Sequence, residues 1–313
     1  MFPVMTLIAS TCQLAGIGGA AVLSPVLLLI FPLLGPSYPL ATPSAAIASA
    51  LLTEAFGFAS GLFGYANRGL VVWEWSIRYL LVCIPFALLG AVLAAPLAGN
   101  VVLLRGLYSV LMLGLSYLLL FGEKPSAILE EECEVPDDIP TIGRIQTSDG
   151  KTEYMYRKPD SWTISTFTVT SIGALLTGLL GVGVGETVLP QLIRKSCLPL
   201  PPAAGTSVAV VVGAAVPAAI VQFAALAAMV MVSSSDGGSG GSFTSESGGF
   251  VEGLVSVIPW SLVQFTIPGA LLGGQIAPWI ASKQIFKDED IEKFAAVLFG
   301  SIGIAFAIKC IQG

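Results

Sequence analysis

Residues 14–25 read Leu14-Ala15-Gly16-Ile17-Gly18-Gly19-Ala20-Ala21-Val22-Leu23-Ser24-Pro25. Residues 179–190 read Leu179-Leu180-Gly181-Val182-Gly183-Val184-Gly185-Glu186-Thr187-Val188-Leu189-Pro190. Each is a glycine cluster near the middle of an apolar stretch, with a proline closing it. Glycine disfavours continuous helix, and proline removes a backbone N–H. The pattern predicts two half-helices that meet near the membrane midplane. Broken helices at that depth are tolerated only where they line a cavity, and they point to the binding site of a transporter.

Working outward, the whole chain supports a membrane setting. Of its 313 residues 55% are hydrophobic and 11% charged, and the mean hydropathy is +0.86. A soluble domain carries roughly 25% charge, so a soluble enzyme and a disordered protein are excluded. The sequence pI of about 4.7 argues against a nucleic-acid partner, which needs a basic face. Apolar stretches run at about 4–34, 44–64, 76–98 and 101–121, and again at 164–193, 205–232, 251–281 and 291–312. Most reach the ~20 residues a helix needs to cross a bilayer. Between the halves, residues 122–161 carry ten acids against five bases and read as a solvated acidic loop without strong periodicity. Ser233–Gly249 reads as a flexible Ser/Gly-rich loop. No basic region precedes the first apolar stretch, so a cleaved signal peptide is not expected.

The two halves correspond in order. Ala41-Thr42-Pro43-Ser44 is answered by Gly205-Thr206-Ser207, and Ile84-Pro85-Phe86-Ala87-Leu88-Leu89-Gly90 by Ile267-Pro268-Gly269-Ala270-Leu271-Leu272-Gly273. The fold expected is all-α and polytopic: two homologous repeats of about four hydrophobic segments, 1–121 and 162–313, joined by the loop 122–161. If each broken segment re-emerges on the side it entered, the halves are inverted. Arg68, Arg78, Arg194, Lys195, Lys283, Lys287 and Lys293 then gather on the side of the long loop, against Arg105 and Lys309 opposite. The positive-inside rule favours this arrangement and puts the loop in the cytosol. Which membrane holds the chain is left open.

The absent chemistry is informative as well. Histidine does not occur, which removes the commonest metal ligand and general base. Cys12, Cys83, Cys133, Cys197 and Cys310 are scattered and odd in number, suggesting neither a disulfide framework nor a zinc site. No acids pair at helical spacing inside one span, so no catalytic residue, metal or cofactor is expected and an intramembrane enzyme is disfavoured.

The duplicated Gly-x-Gly-Gly-type motif followed by proline resembles the TauE/SafE permease family, named for sulfite and sulfonate export. Thr206-Ser207, at the head of the next helix, matches that family, and the first half has it altered to Thr42-Pro43-Ser44. Glu186 stands where the family tends to have a small residue, and the long loop departs from compact bacterial members. The resemblance implies transport of small sulfur-containing or related organic anions, without hydrolysis or a prosthetic group. Besides that anion, the lipid bilayer is the expected partner, and a homo-oligomer stays open. A passive anion channel is the alternative.

Each candidate residue has two readings. A helix starting at Gly18-Gly19 or Gly183–Gly185 offers free N–H groups and a positive dipole end to an anion, or the glycines pack helices closely. Thr42, Ser44, Thr206 and Ser207 donate to substrate oxygens or cap the following helix. Glu54, inside an apolar helix, is functional by default. With Glu186 it is a candidate for proton coupling; the alternative roles are packing and helix capping. Gln222 and Gln264 look the deepest of the amides, beside Gln13 and Gln191, and bond substrate or another helix. Glu74 in Trp73-Glu74-Trp75 reads as part of an interfacial belt. Arg194 and Lys195 draw anions to the entrance or anchor the topology.

Overall fold

A computed structural model describes residues 1–30, 43–97, 101–121, 142–150, 152–159, 162–236, 260–283 and 288–311. Residues 237–249 of the Ser/Gly stretch and the glutamate run 130–134 lie outside these, whereas Ser233–Asp236, expected in the loop, continue a helix. In the first half α1 spans Phe2–Leu14, α2 Ala20–Pro25 with a π-helical turn at Val26–Ile30, α3 Pro43–Asn67, α4 Trp73–Leu97 and α5 Val101–Phe121. In the second half α6 spans Ile164–Leu180, α7 Val184–Ser196, α8 Leu200–Asp236, α9 Trp260–Lys283 and α10 Asp288–Ile311. The protein is all-α in its membrane part, and these bounds follow the apolar stretches of the sequence closely. Helices α3, α4 and α8 hold stretches long and apolar enough to cross a membrane.

Both breaks fall at the glycine clusters. Gly16 (φ 63°) follows α1, and Gly181 (φ 81°) caps α6 in the left-handed region, where a side chain is costly and glycine ends a helix readily. Beyond the second break α7 folds back along α6. Thr177 Oγ1 accepts from the Val184 N–H at 2.8 Å, Thr170 Oγ1 donates to Gln191 Oε1 at 3.3 Å, and Lys195 Nζ donates to Thr166 Oγ1. The start of α6 and the end of α7 therefore lie side by side.

The main helix pairings recur when the halves are exchanged. α1 packs on α9 as α6 packs on α4, α3 on α9 as α8 on α4, and α2 on α3 as α7 on α8. The pairs α3–α8 and α5–α10 join the halves. Small residues make these approaches. A Cβ at Gly269 would lie 2.6 Å from the Phe2 carbonyl oxygen, and one at Gly273 2.6 Å from that of Thr6. Gly90 and Gly178 press likewise on the carbonyls of Leu175 and Ala87. Backbone-to-backbone packing is the device available where lipid supplies no hydrophobic drive between helices.

The polar loop holds a structure that its reading as an unpatterned solvated stretch misses. Ile142–Gln146 (β1) and Glu153–Arg157 (β2) pair antiparallel, with Ile142 opposite Arg157. Asp149-Gly150 turns the chain, with Gly150 at φ 66°, a strong hairpin signal. The hairpin sits on the end of the bundle where α3 stops and α4 starts. The Ser148 N–H donates to the Arg68 carbonyl at 3.0 Å, Trp75 Nε1 donates to the Arg157 carbonyl at 2.9 Å, and Tyr156 is buried in the main core. Trp73 is exposed while Trp75 is buried, so only the first of the two behaves as a belt residue. Cys197, just past α7, is disulfide-bonded, although the scattered cysteines suggest no disulfide framework; Cys12, Cys83 and Cys310 are free.

Candidate functional site

The two breaks cross at the centre of the molecule, backbone against backbone. A Cβ at Gly185 would lie 2.9 Å from the Gly16 carbonyl oxygen and 3.0 Å from the Gly18 nitrogen. Gly19 begins α2 beneath the Phe58 ring. Ser207 of α8 donates its hydroxyl to the Gly16 carbonyl at 2.9 Å, which supports the first break from the second half.

Two acids from different halves meet at this crossing. Glu186 lies one turn into α7. Its Oε2 accepts from the Gly183 N–H at 3.0 Å and its Oε1 from the Gly18 N–H at 3.2 Å. Glu54 comes from the middle of α3, and its Oε1 accepts from the Ala20 N–H at 3.3 Å. Its Oε2 is buried without a hydrogen-bond partner. A Cβ at Gly18 would sit 2.9 Å from Glu54 Oε1 and 3.5 Å from Glu186 Oε1, so the two carboxyls face each other across that glycine. Both are buried, at 2% and 8% exposure. Among the described residues neither forms an ion pair with a basic side chain.

This changes one expectation. The sequence predicts free N–H groups at the breaks, ready for a substrate anion. In the structure the N–H groups of Gly18, Ala20 and Gly183 are held by the protein's own carboxyls. The physical reason is the same one that makes the breaks suit an anion: unpaired donors and the positive end of a helix dipole attract a negative group, and these acids are the nearest.

The family described as sulfite exporter TauE/SafE matches residues 1–306. The chain belongs to the TauE/SafE family. No curated protein and no solved structure matches it. As a TauE/SafE protein it is an integral membrane transporter, and a small anion is its substrate.

The other candidates of this TauE/SafE chain divide. Thr42 lies outside the described residues, and Ser44 falls in the first turn of α3, where its side chain is not described. Thr206 and Ser207 are not helix caps, because α8 already starts at Leu200, over a turn earlier. Thr206 Oγ1 instead donates to the Pro202 carbonyl at 2.7 Å and accepts from the Val72 N–H at 3.0 Å, fixing the α3–α4 connection. Gln222 is buried and donates to the Gly178 carbonyl of α6. Gln264 is exposed on α9 and donates within its own helix to Ser261 at 3.4 Å, so its expected depth is corrected. A period of 3.6 residues separates faces only when the neighbours of a helix are known. Gln13 donates to the Gly57 carbonyl at 3.0 Å, and Gln191 bonds along the α6–α7 pair. Glu74 accepts from Tyr156 at 3.4 Å, serving the hairpin rather than the site.

The acid pair itself is what sequence reasoning missed. Both residues are singled out by their apolar surroundings, but no spacing along one helix can show that Glu54 and Glu186 meet.

Proposed function

We propose that the protein is a secondary carrier of small sulfur-containing or organic anions of the sulfite and sulfonate type, working by alternating access between two inverted repeats. The substrate sits where the breaks cross, with Gly18, Gly19, Gly183 and Gly185 as the backbone seat and Ser207 behind it. Transport is coupled to protons through Glu54 or Glu186.

One observation carries this reading: backbone N–H groups from both halves converge on carboxylate oxygens at a crossing of two interrupted helices. Donors so placed bind an oxyanion without a buried base, and a site formed between repeats can open to either side by rocking one against the other. The fold-back of α7 on α6 and the packing that survives exchange of the halves support the inverted arrangement.

The test is sulfite flux in liposomes holding the purified protein, with and without an imposed pH gradient. Accumulation that needs the gradient is the expected result. Flux that only dissipates a sulfite gradient would make the protein a channel or uniporter. Silence toward sulfite, sulfonates and carboxylates alike would remove the substrate assignment.

A further inference from the structure

We propose that the carboxylate of Glu186 is a tethered occupant of the substrate's own seat, which a small monoanionic oxyanion replaces only when Glu186 takes up a proton. The proposal rests on the carrier reading above and deepens it.

The geometry exceeds what a helix cap requires. A capping glutamate three residues into α7 needs one bond, to the Gly183 N–H at its own N-cap. The second oxygen of Glu186 reaches the other half of the protein and accepts from Gly18. Two oxygens of one anion thus bridge one donor from each break, at 3.0 and 3.2 Å. Any oxyanion with two oxygens on one central atom (hydrogensulfite, a sulfonate or a carboxylate) presents the same pair of acceptors. A protonated Glu186 keeps one carbonyl acceptor but loses the other, because its O–H is a donor facing a donor, so its hold on the pair of N–H groups is weakened.

A second feature marks the seat as made for a ligand. Glu54 Oε2 is an acceptor without a partner, in a side chain only 2% exposed. It belongs to the carboxyl that faces Gly18. Of these occupants hydrogensulfite carries an O–H that can satisfy it, and any dianion would meet stronger repulsion from that carboxyl than a monoanion in a site of low dielectric. The site therefore selects one negative charge. The titratable groups whose ionisation would be felt at Glu186 are Glu54 from α3, Cys12 from α1 and Tyr108 from α5. Tyr79 of α4 lies farther along α7, against Gln191, and Arg194 and Lys195 lie in the last turn of α7.

The cycle balances in charge and protons. One proton binds Glu186 and turns the carboxylate into a neutral acid. Its oxygens release the two N–H groups, and one monoanion takes them. On the other side the anion leaves, the proton dissociates, and the carboxylate returns. One proton travels with each monoanion, and net charge does not move.

The experiment uses the purified full chain and formate, an untethered copy of the glutamate headgroup. In Glu186→Ala the seat is vacant, so formate should raise the thermal stability saturably, with sulfite competing. Wild type in alkaline buffer should bind formate about ten- to a hundredfold more weakly, the range for charge-assisted hydrogen bonds. In liposomes Glu186→Ala should still exchange sulfite but lose the response to a pH gradient. Monodisperse Glu186→Ala that ignores formate, or that still concentrates sulfite with the gradient, overturns the proposal. If the alanine variant does not fold, Glu186→Gln keeps the size of the side chain and takes its place. Its sulfite exchange should be indifferent to the gradient, and a preserved response overturns the proposal. If wild type moves no sulfite, the substrate assignment fails, while the formate arm, which needs no transport, still decides the seat.

Discussion

Gly185→Ala probes the crossing of the breaks most directly. The added methyl would meet the Gly16 carbonyl oxygen at 2.9 Å, the Gly18 nitrogen at 3.0 Å and Ile17 Cα at 3.1 Å. All three are backbone atoms, so no rotamer change relieves the contact. Overpacking of this kind costs about 1–3 kcal/mol. Alanine in a helix is better than glycine by about 1 kcal/mol, which offsets part of it, and a net loss of about 1 kcal/mol remains. Gly114→Ala in α5 is the control, since a Cβ there meets nothing within 4 Å and only the helix-propensity gain applies. The two variants should therefore shift detergent-solubilised thermal unfolding in opposite directions. Sulfite flux should fall in Gly185→Ala, because separating the breaks draws the Gly18 N–H away from Glu186. If Gly185→Ala unfolds no earlier than wild type and transports as well, the breaks do not touch and the site is wrongly placed.

Further predictions concern the residues around that crossing. Ser207→Ala removes the bond to the Gly16 carbonyl and leaves it without that donor, so stability should drop by about 1–3 kcal/mol, with flux reduced rather than abolished; unchanged thermal unfolding would show that Ser207 does not hold the break. Gln264→Ala should leave the apparent KM for sulfite unchanged, because the side chain is exposed and bonds only its own helix, and a raised KM would return it to the site. Burial first, then the charge and hydrogen bond of Glu74, raise the Tyr156 phenol above its usual value. Stability from that group is complete below the unfolded phenol's pKa of about 10 and is lost as pH rises through the higher folded value. Hairpin docking, read by Trp75 fluorescence, should weaken in that alkaline window, and Tyr156→Phe should flatten the change; an alkaline loss that persists in the variant would place its cause elsewhere.

What could be read without coordinates follows physical range. Helix bounds were legible because a span must be apolar over its full length, and Gly16, Gly181, Pro25 and Pro190 mark breaks through backbone chemistry that acts locally. The hairpin was legible too, in Asp149-Gly150 between short alternating runs, but a reading fixed on the acidic charge of 122–161 passes over it. Gln264 and Gln222 look alike in sequence and separate in space, since burial depends on which neighbour a helix face meets. Thr206 resembles a cap until the start of α8 is known, and then it fastens the α3–α4 connection.

An all-α membrane protein with two interrupted segments and two acids in apolar surroundings is legible along the chain, because each of those facts depends on residues near one another in it. The tertiary structure alone decided that Glu186 bridges both breaks and that Glu54 faces it across Gly18. Residues 54 and 186 come from different halves, and only the close glycine packing of α3, α7 and the breaks brings their carboxyls to neighbouring backbone donors, Ala20 for Glu54 and Gly18 with Gly183 for Glu186.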